Sequence, residues 1–280
     1  VREALQKYLD TANRAADAGA EILQQHFAGR VSYETKAESY NLVTAADVAS
    51  EQAVVQVIRQ RFPTHQVLAE EAGLSISDLA ALDQLWVIDP LDGTNNFVHG
   101  IEHFAISVAL LQRGRPIVGV VLNPITGERF QATAATRSQR NGDPIRVSSV
   151  TQLDQMLVGV GFYYDRDLMM RKTLDAIEHL FLRNIHGIRR LGTASLDLCN
   201  VACGRFGAYF EYELAPWDFA AGWLIVEQAG GRMTTAANQP LHLKHTSLLA
   251  SNGHVHDAAA DITARFHPQP TQPTDANPTK

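Results

Sequence analysis

The stretch Trp86-Val87-Ile88-Asp89-Pro90-Leu91-Asp92-Gly93-Thr94 decides how this chain is read. It runs as an apolar strand and stops in two carboxylates, a proline, a glycine and a threonine. Pro90 has no N–H and biases Asp89 toward extended backbone, so the strand is expected to end there. Gly93 admits positive φ or a close backbone approach, and Thr94 is suited to cap a helix running on from Asn95. Two carboxylates, with the Leu91 carbonyl near them, would then stand beside N–H groups at a helix start. Such oxygen ligands suit Mg²⁺, and the N–H groups suit phosphate. A plain acidic turn with a helix cap fits the same residues, so the companions matter. Gln66-Val-Leu-Ala-Glu70-Glu71 is a second apolar run ending in acids, and Ala215-Pro216-Trp217-Asp218 sets an acid at the start of an apolar helical run. Three acid-bearing element ends are most simply read as one metal cluster.

Around these segments lie elements of two kinds. Leu5 to Phe27 carries apolar and alanine positions at helical spacing. Thr44-x-x-Asp47 has the form of a capping box and opens a helix with Val48, Val55, Ile58 and Phe62 on one face, closed by Pro63. Phe104, Ile106, Val108 and Leu110 alternate as in a half-buried strand. Arg113-Gly-Arg-Pro116, Thr126-Gly127 and Asn141-Gly142 supply turns. From about Ser148 strands alternate with helices: Leu157 to Val160, Met169 to Phe181, Ile188 to Leu191, and Ala194 to Cys203 ending at Gly204. A strand at Tyr209 to Tyr212 and a helix from Pro216 to Gln228 follow. The expected organisation is an N-terminal helix and antiparallel-sheet half (1–147), a C-terminal α/β half (148–266) and a disordered, proline-rich tail (267–280). The acids of both halves must meet at their boundary, a common place for a ligand site.

The 280-residue length allows a substantial core, and 45% hydrophobic with 19% charged residues is ordinary for a globular enzyme. A net charge of −6 offers no general attraction to nucleic acid or to an anionic membrane, so an anionic substrate must be drawn locally by metal ions. No apolar run reaches membrane-spanning length and no basic-then-apolar signal opens the chain, so cytoplasm is the expected compartment. Cys199 and Cys203, four apart on a predicted helix, read as reduced packing residues.

Leu85-Trp-Val-Ile-Asp89-Pro-Leu-Asp92-Gly-Thr94-Asn-Asn-Phe97, with Trp217-Asp218 and Gly230-Gly231 behind it, resembles the inositol monophosphatase family, whose members are lithium-sensitive, Mg²⁺-dependent phosphatases. The resemblance runs from about Ala12 to His254, and Gly192-Thr-Ala-Ser-Leu-Asp-Leu is similar to the bacterial inositol-1-monophosphatase branch. The family usually has Thr where Asn95 stands. The resemblance implies an αβαβα layered sandwich of the inositol monophosphatase and fructose-1,6-bisphosphatase superfamily, and a homodimer. It implies a first metal site from Glu70, Asp89 and the Leu91 carbonyl, and a second from Asp89, Asp92 and Asp218. A weaker third metal would involve Glu70 and water. Thr94 and Asp47 match the pair that orients and deprotonates the attacking water, a role Glu70 could share. Gly93 and Thr94 would hold phosphate, while Gly192, Thr193, Ala194 and Glu211 match positions that contact ring hydroxyls. Lys36 matches a loop lysine near the site. On its own spacing Asp47 reads first as a helix cap, and Glu211 as a surface strand acid.

The implied reaction is hydrolysis of inositol-1-phosphate or a related polyol phosphate by metal-activated water. A related phosphatase acting on fructose-1,6-bisphosphate, histidinol phosphate or a 3′-phosphoadenosine nucleotide is the near alternative. Against the nucleotide reading, Asn95-Asn96-Phe97 stands where those relatives carry Lys-Glu. A non-catalytic regulatory protein retaining the fold is the more distant one. His99 and His103 read as surface or supporting residues, and His242-x-x-His245 and His254-x-His256 as polar loop or terminal residues rather than a zinc site.

Overall fold

The computed structural model describes residues 2–27, 33–35, 42–71, 79 and 82–268. Helix α1 (Arg2–Phe27) lies against α2 (Ala45–Arg61), and the short strands β1 (Tyr33–Thr35) and β2 (Leu42–Thr44) pair antiparallel between them in sequence. On α1 the buried residues Leu5, Leu9, Ala12, Ala16, Ala20 and Leu23 recur at helical spacing. Gly19 permits the close approach, since a methyl there would fall 2.8 Å from Ser50 Oγ. The capping box forms as expected, with Thr44 Oγ1 and the Asp47 carboxylate each accepting the other residue's N–H. The buried face of α2 differs from the expected one. Ala46, Ser50, Val54 and Ile58 face inward, whereas Val48 is 42% exposed. Small residues are needed on that face, where the Ser50 hydroxyl also donates to the Pro90 carbonyl at 2.9 Å.

The first sheet runs in the order β3 (Gln66–Ala69), β4 (Leu85–Asp92), β5 (Ala105–Gln112), β6 (Arg115–Leu122), β7 (Arg129–Thr133), β8 (Thr136–Arg140) and β9 (Asp143–Pro144). Only the β3–β4 pair is parallel. Strand β4 continues past Asp89 to Asp92, against the expected stop, and its register with β5 shifts between those two acids. The continuation is tolerated because β3 pairs with β4 only as far as Ile88, and a proline at a strand irregularity removes no ladder bond. Strand β5 was expected to be half-buried, yet Ala105 to Leu111 are all buried. Helices cover both of its faces, which period-two alternation cannot reveal. The Arg113-Gly114 and Asn141-Gly142 turns take paired positive φ, as tight hairpins require.

After the short helix α3 (Thr94–Val98) and the meander come β10 (Leu157–Val160), α4 (Leu168–Phe181), β11 (Gly187–Arg189), α5 (Ala194–Ala202), β12 (Ala208–Leu214) and α6 (Pro216–Gln228). Strands β13 (Arg232–Thr234) and β14 (Thr246–Ser251) and helix α7 (His256–Arg265) complete the described chain. The second sheet has the order β11-β10-β12-β14-β13. Three apolar clusters show the layering. Trp86, Ile88 and Ile106 pack under α1 and α2; Val87, Ala109 and Phe130 face α5 and α6, with Tyr209 and Leu248 of the second sheet beyond them; Val158, Phe210 and Leu249 face α4 and α7. The result is the αβαβα sandwich. Helix α6 sits so close to the first sheet that a methyl on Gly119 would fall 2.7 Å from the Ala221 carbonyl oxygen.

Cys199 and Cys203 are free thiols whose pKa values burial pushes up, so neither is poised to react. Among the described residues no helix is long and apolar enough to cross a membrane. His267, at the head of the expected tail, meets Ser247 Oγ at 2.8 Å, and residues 269–280 lie outside the described residues.

Candidate active site

Glu70, Asp89, Leu91, Asp92 and Asp218 line a single cleft of about 330 Å³ where the two sheets and the starts of α3, α5 and α6 come together. Each aspartate is held by a backbone N–H. Asp89 Oδ1 accepts from the Leu91 N–H at 3.0 Å, and Asp218 Oδ2 reaches back to the Ala215 N–H at 2.7 Å. Asp92 Oδ2 spans to the start of α5, taking the Ser195 N–H at 2.7 Å and its hydroxyl at 2.5 Å. Unpaired N–H groups at helix starts attract carboxylates, and here they fix the rotamers of Asp92 and Asp218.

Asp47 divides its oxygens. Oδ2 accepts the Thr44 N–H at 2.8 Å and the Thr44 hydroxyl at 2.6 Å, which is the cap. Oδ1 lies 3.0 Å from Thr94 Oγ1, whose hydroxyl also lies 3.1 Å from the Leu91 carbonyl. The cap read from its spacing forms through Oδ2, and Oδ1 is left to face Thr94. Thr94 itself is not the cap expected of it. Gly93, at φ 97°, makes the turn, and Thr94 is the first residue of α3. That left-handed turn frees the threonine hydroxyl to face Asp47.

Burial, then repulsion from Glu70, Asp92 and Asp218, holds the Asp89 carboxyl well above the usual carboxylate range. Asp218 is raised by burial, then by Asp92 and Glu70. Asp92 is pushed up to about 6 by burial, against the lowering effect of its Ser195 bonds and of Arg190. Among the described residues no three acids, histidines or cysteines close into a ready-made metal cage. The fit to Mg²⁺ therefore rests on the donors, an all-oxygen set sharing one cleft and repelling one another until cations neutralise them.

Gly192, Thr193 and Ala194 form another wall of the cleft. The Thr193 hydroxyl donates to the His103 carbonyl at 2.8 Å, and the Asn96 amide donates to the carbonyls of His103 and Leu191 at 2.7 and 2.8 Å, tying α3 to the approach to α5. Glu211 is buried, accepts the Tyr209 hydroxyl at 2.6 Å, and is pushed up to about 7 by burial. Gly161 makes room for it, since a methyl there would fall 1.8 Å from Glu211 Oε2. Glu213 also lines the cleft, half-buried and 3.7 Å from His245.

Sequence reasoning missed Arg190, Asp197, Tyr163, Trp217 and His245, all of which line the cleft. Trp217 and Asp197 lie within segments quoted for the resemblance, whereas nothing in the local sequence marks Arg190, Tyr163 and His245, which sit in connections next to β11, β10 and β14 that only the packing brings to the cleft. Of the histidine readings one needs correction, that of His256, while His245 is the exposed loop residue expected. His245 reaches the cleft wall, and His256 is wholly buried between Thr234 Oγ1 at 3.0 Å and Ser251 Oγ at 2.8 Å. Lys36 lies outside the described residues.

The family model described as the inositol monophosphatase family matches residues 4–267. The chain belongs to the inositol monophosphatase family. An inositol-1-monophosphatase of Synechocystis sp. is 40% identical, over 93% of this chain and 90% of the relative. The Nus factor SuhB of Pseudomonas aeruginosa is 38% identical, over 89% and 92%. The structure of an inositol monophosphatase from Anabaena superposes with a TM-score of 0.83 at 39% identity, covering 94% of this chain and 97% of that one. The structure of an IMPase/NADP phosphatase complexed with Mg²⁺ and phosphate superposes with a TM-score of 0.82 at 28% identity, covering 92% of this chain and 95% of that one.

Proposed function

We propose that this family phosphatase hydrolyses inositol-1-phosphate, or a related polyol or sugar phosphate, using two or three Mg²⁺ ions. The observation that carries the reading is the Thr94–Asp47 contact, set beside a cleft lined by Glu70, Asp89, Asp92 and Asp218. Glu70, Asp89 and the Leu91 carbonyl would hold one ion and Asp89, Asp92 and Asp218 a second, with Glu70 also serving a third. When bound, Mg²⁺ supplies charge to the phosphoryl oxygens, a more acidic water and support for the leaving alkoxide.

The chain's own groups do the rest. Thr94 Oγ1 takes a proton from the attacking water as its own proton moves to Asp47 Oδ1. A threonine hydroxyl is too weak a base without that carboxylate, and burial raises the Asp47 pKa, which makes it a better acceptor. The N–H groups of Gly93 and Thr94 hold the phosphate. Gly192, Thr193, Ala194 and Glu211 face the alcohol. Attack is direct, without a phosphoenzyme, a reading supported by the absence of any serine or cysteine among the described residues that line the cleft. The partners of this reading are a small phosphate ester and a second copy of the chain, in the cytoplasm, with no nucleic acid or membrane.

Similarity to a Nus factor favours a second, regulatory reading, which the intact Asp47, Glu70, Asp89, Asp92, Thr94 and Asp218 oppose as a replacement for catalysis. Phosphate release from a panel of esters, with and without Mg²⁺, separates them. Release from inositol-1-phosphate that requires Mg²⁺ is the expected result. Faster release from fructose-1,6-bisphosphate, histidinol phosphate or a 3′-phosphoadenosine nucleotide would move the substrate, and release from none would leave the regulatory reading.

A further inference from the structure

Strands β10, β11 and β12 run parallel, and the chain beyond or near their carboxyl ends brings Gly161, Arg190 and Glu213 to the cleft, where open α/β sheets commonly bind ligands. Arg190 is the only lysine or arginine among the described residues that line it. The residue is exposed, so a ligand can reach it. Its Nη1 stands over Gly192, where a methyl would fall 2.3 Å away, so the guanidinium is seated on the wall that faces the alcohol. The following residue is fixed, since Asn96 donates to the Leu191 carbonyl at 2.8 Å. Arg189 spends a donor on the Ile188 carbonyl at 2.9 Å, whereas among the described residues the Arg190 guanidinium makes no hydrogen bond or ion pair. Its charge still acts on Asp92, Asp197 and Glu211. A sugar hydroxyl offers one proton and two lone pairs, and ionised acids can use only the proton. The Thr193 hydroxyl already donates to His103 and that of Tyr209 to Glu211, so Arg190 is the charged donor left for the lone pairs.

We propose that Arg190 is a specificity-determining residue whose guanidinium donates hydrogen bonds to hydroxyl oxygens of the substrate alcohol at the Gly192 wall. The assignment rests on the polyol-phosphate reading above and deepens it. A guanidinium presents its N–H groups as a planar fork, which suits two adjacent oxygens better than one, so the class selected is an alcohol with neighbouring hydroxyls. The bonds form away from the phosphorus and are present before and during hydrolysis. Their loss then raises KM more than it lowers kcat.

The test compares inositol-1-phosphate with cyclohexyl phosphate, which has the same ring without the hydroxyls, at saturating Mg²⁺. Arg190→Ala is expected to raise KM for inositol-1-phosphate about tenfold or more, the loss of a hydrogen bond to a charged group, and to lower kcat by less than about threefold. KM for cyclohexyl phosphate should move by less than about twofold. Arg190→Lys keeps the charge but not the fork, so its KM for inositol-1-phosphate should fall between wild type and alanine. It carries the test if the alanine variant unfolds. Full recovery with lysine would overturn the assignment, leaving Arg190 as a charge that steadies the neighbouring acids. Equal KM rises on both esters would overturn it too, placing the guanidinium on the phosphate. A wild-type preference for inositol-1-phosphate that survives Arg190→Ala would sink the assignment alone. A wild-type enzyme that treats the two esters alike would overturn the polyol reading and this assignment with it.

Discussion

Asp92 joins two tasks at one carboxyl group, since Oδ2 is held by Ser195 at the start of α5 while the residue faces three other acids across the cleft. Asp92→Asn keeps the shape but loses the charge, so kcat should fall about 10²-fold or more, as when a group supporting transition-state charge is removed. Turnover near wild type at saturating Mg²⁺, in a variant whose circular dichroism is native, would remove Asp92 from the site. Glu211→Ala should separate substrates instead. It should lower kcat/KM about tenfold to a hundredfold for inositol-1-phosphate and little for p-nitrophenyl phosphate, which has no hydroxyls to lose. Parallel losses would make Glu211 a supporting residue. Asp89, Asp92 and Asp218 could be read from sequence because Pro90, Gly93 and Pro216 mark the element ends that carry them, whereas Glu211 lies within β12 and was matched only through the family resemblance. Asp197 could not, because every residue of α5 from Ala194 to Ala202 is buried, and a helix buried all round shows no face in its periodicity.

The turn at Gly93 shows how an element can be strained for the sake of its neighbours. At φ 97° any side chain is disfavoured, and a methyl would also stand 2.6 Å from Thr193 Oγ1. Gly93→Ala should therefore cost about 1–3 kcal/mol in urea unfolding and more than Gly100→Ala, where φ is 72° but nothing lies within 4 Å. Equal costs would mean that the backbone angle alone matters. Element positions were largely readable, down to the capping box at Thr44 and Asp47 and the glycine end of α5. Faces were read less well. Val48 was placed inward on α2 because it is apolar, yet the contact with α1 and the Pro90 carbonyl calls for Ala46 and Ser50. The burial of both faces of β5 likewise comes from α6, which lies far along the chain.

Taken as a whole, the molecule holds charge where it least tolerates it. The folded pKa of Asp92 is raised to about 6, and burial holds those of Asp89 and Asp218 well above the ordinary carboxylate range as well. Between the unfolded values near 4 and these, the folded state binds more protons, so stability without metal falls as pH rises through that window. Mg²⁺ replaces the protons, and its addition should raise Tm more at about pH 8 than at about pH 5. His256, lowered to about 4 by burial, works in the opposite sense and loses stability as pH falls from about 6.5. The comparison is therefore the Mg²⁺-dependent difference at each pH, and a gain independent of pH would separate the ion from these carboxylates. Li⁺, with half the charge of Mg²⁺, should slow turnover where an equal concentration of NaCl does not, while equal slowing by both salts would point to ionic strength.

The bond from Ser195 to Asp92 joins residues 103 positions apart, and Asn96 meets the Leu191 carbonyl across 95. Closing such long loops is entropically expensive and slows the search for the native pairing. Local helices such as α1 can form early in refolding, but the cleft does not exist until the strand end of the first sheet has found the start of α5. Regained turnover is therefore expected to report this docking step and to lag behind regained helicity, and a chain stalled before it should be inert rather than unselective.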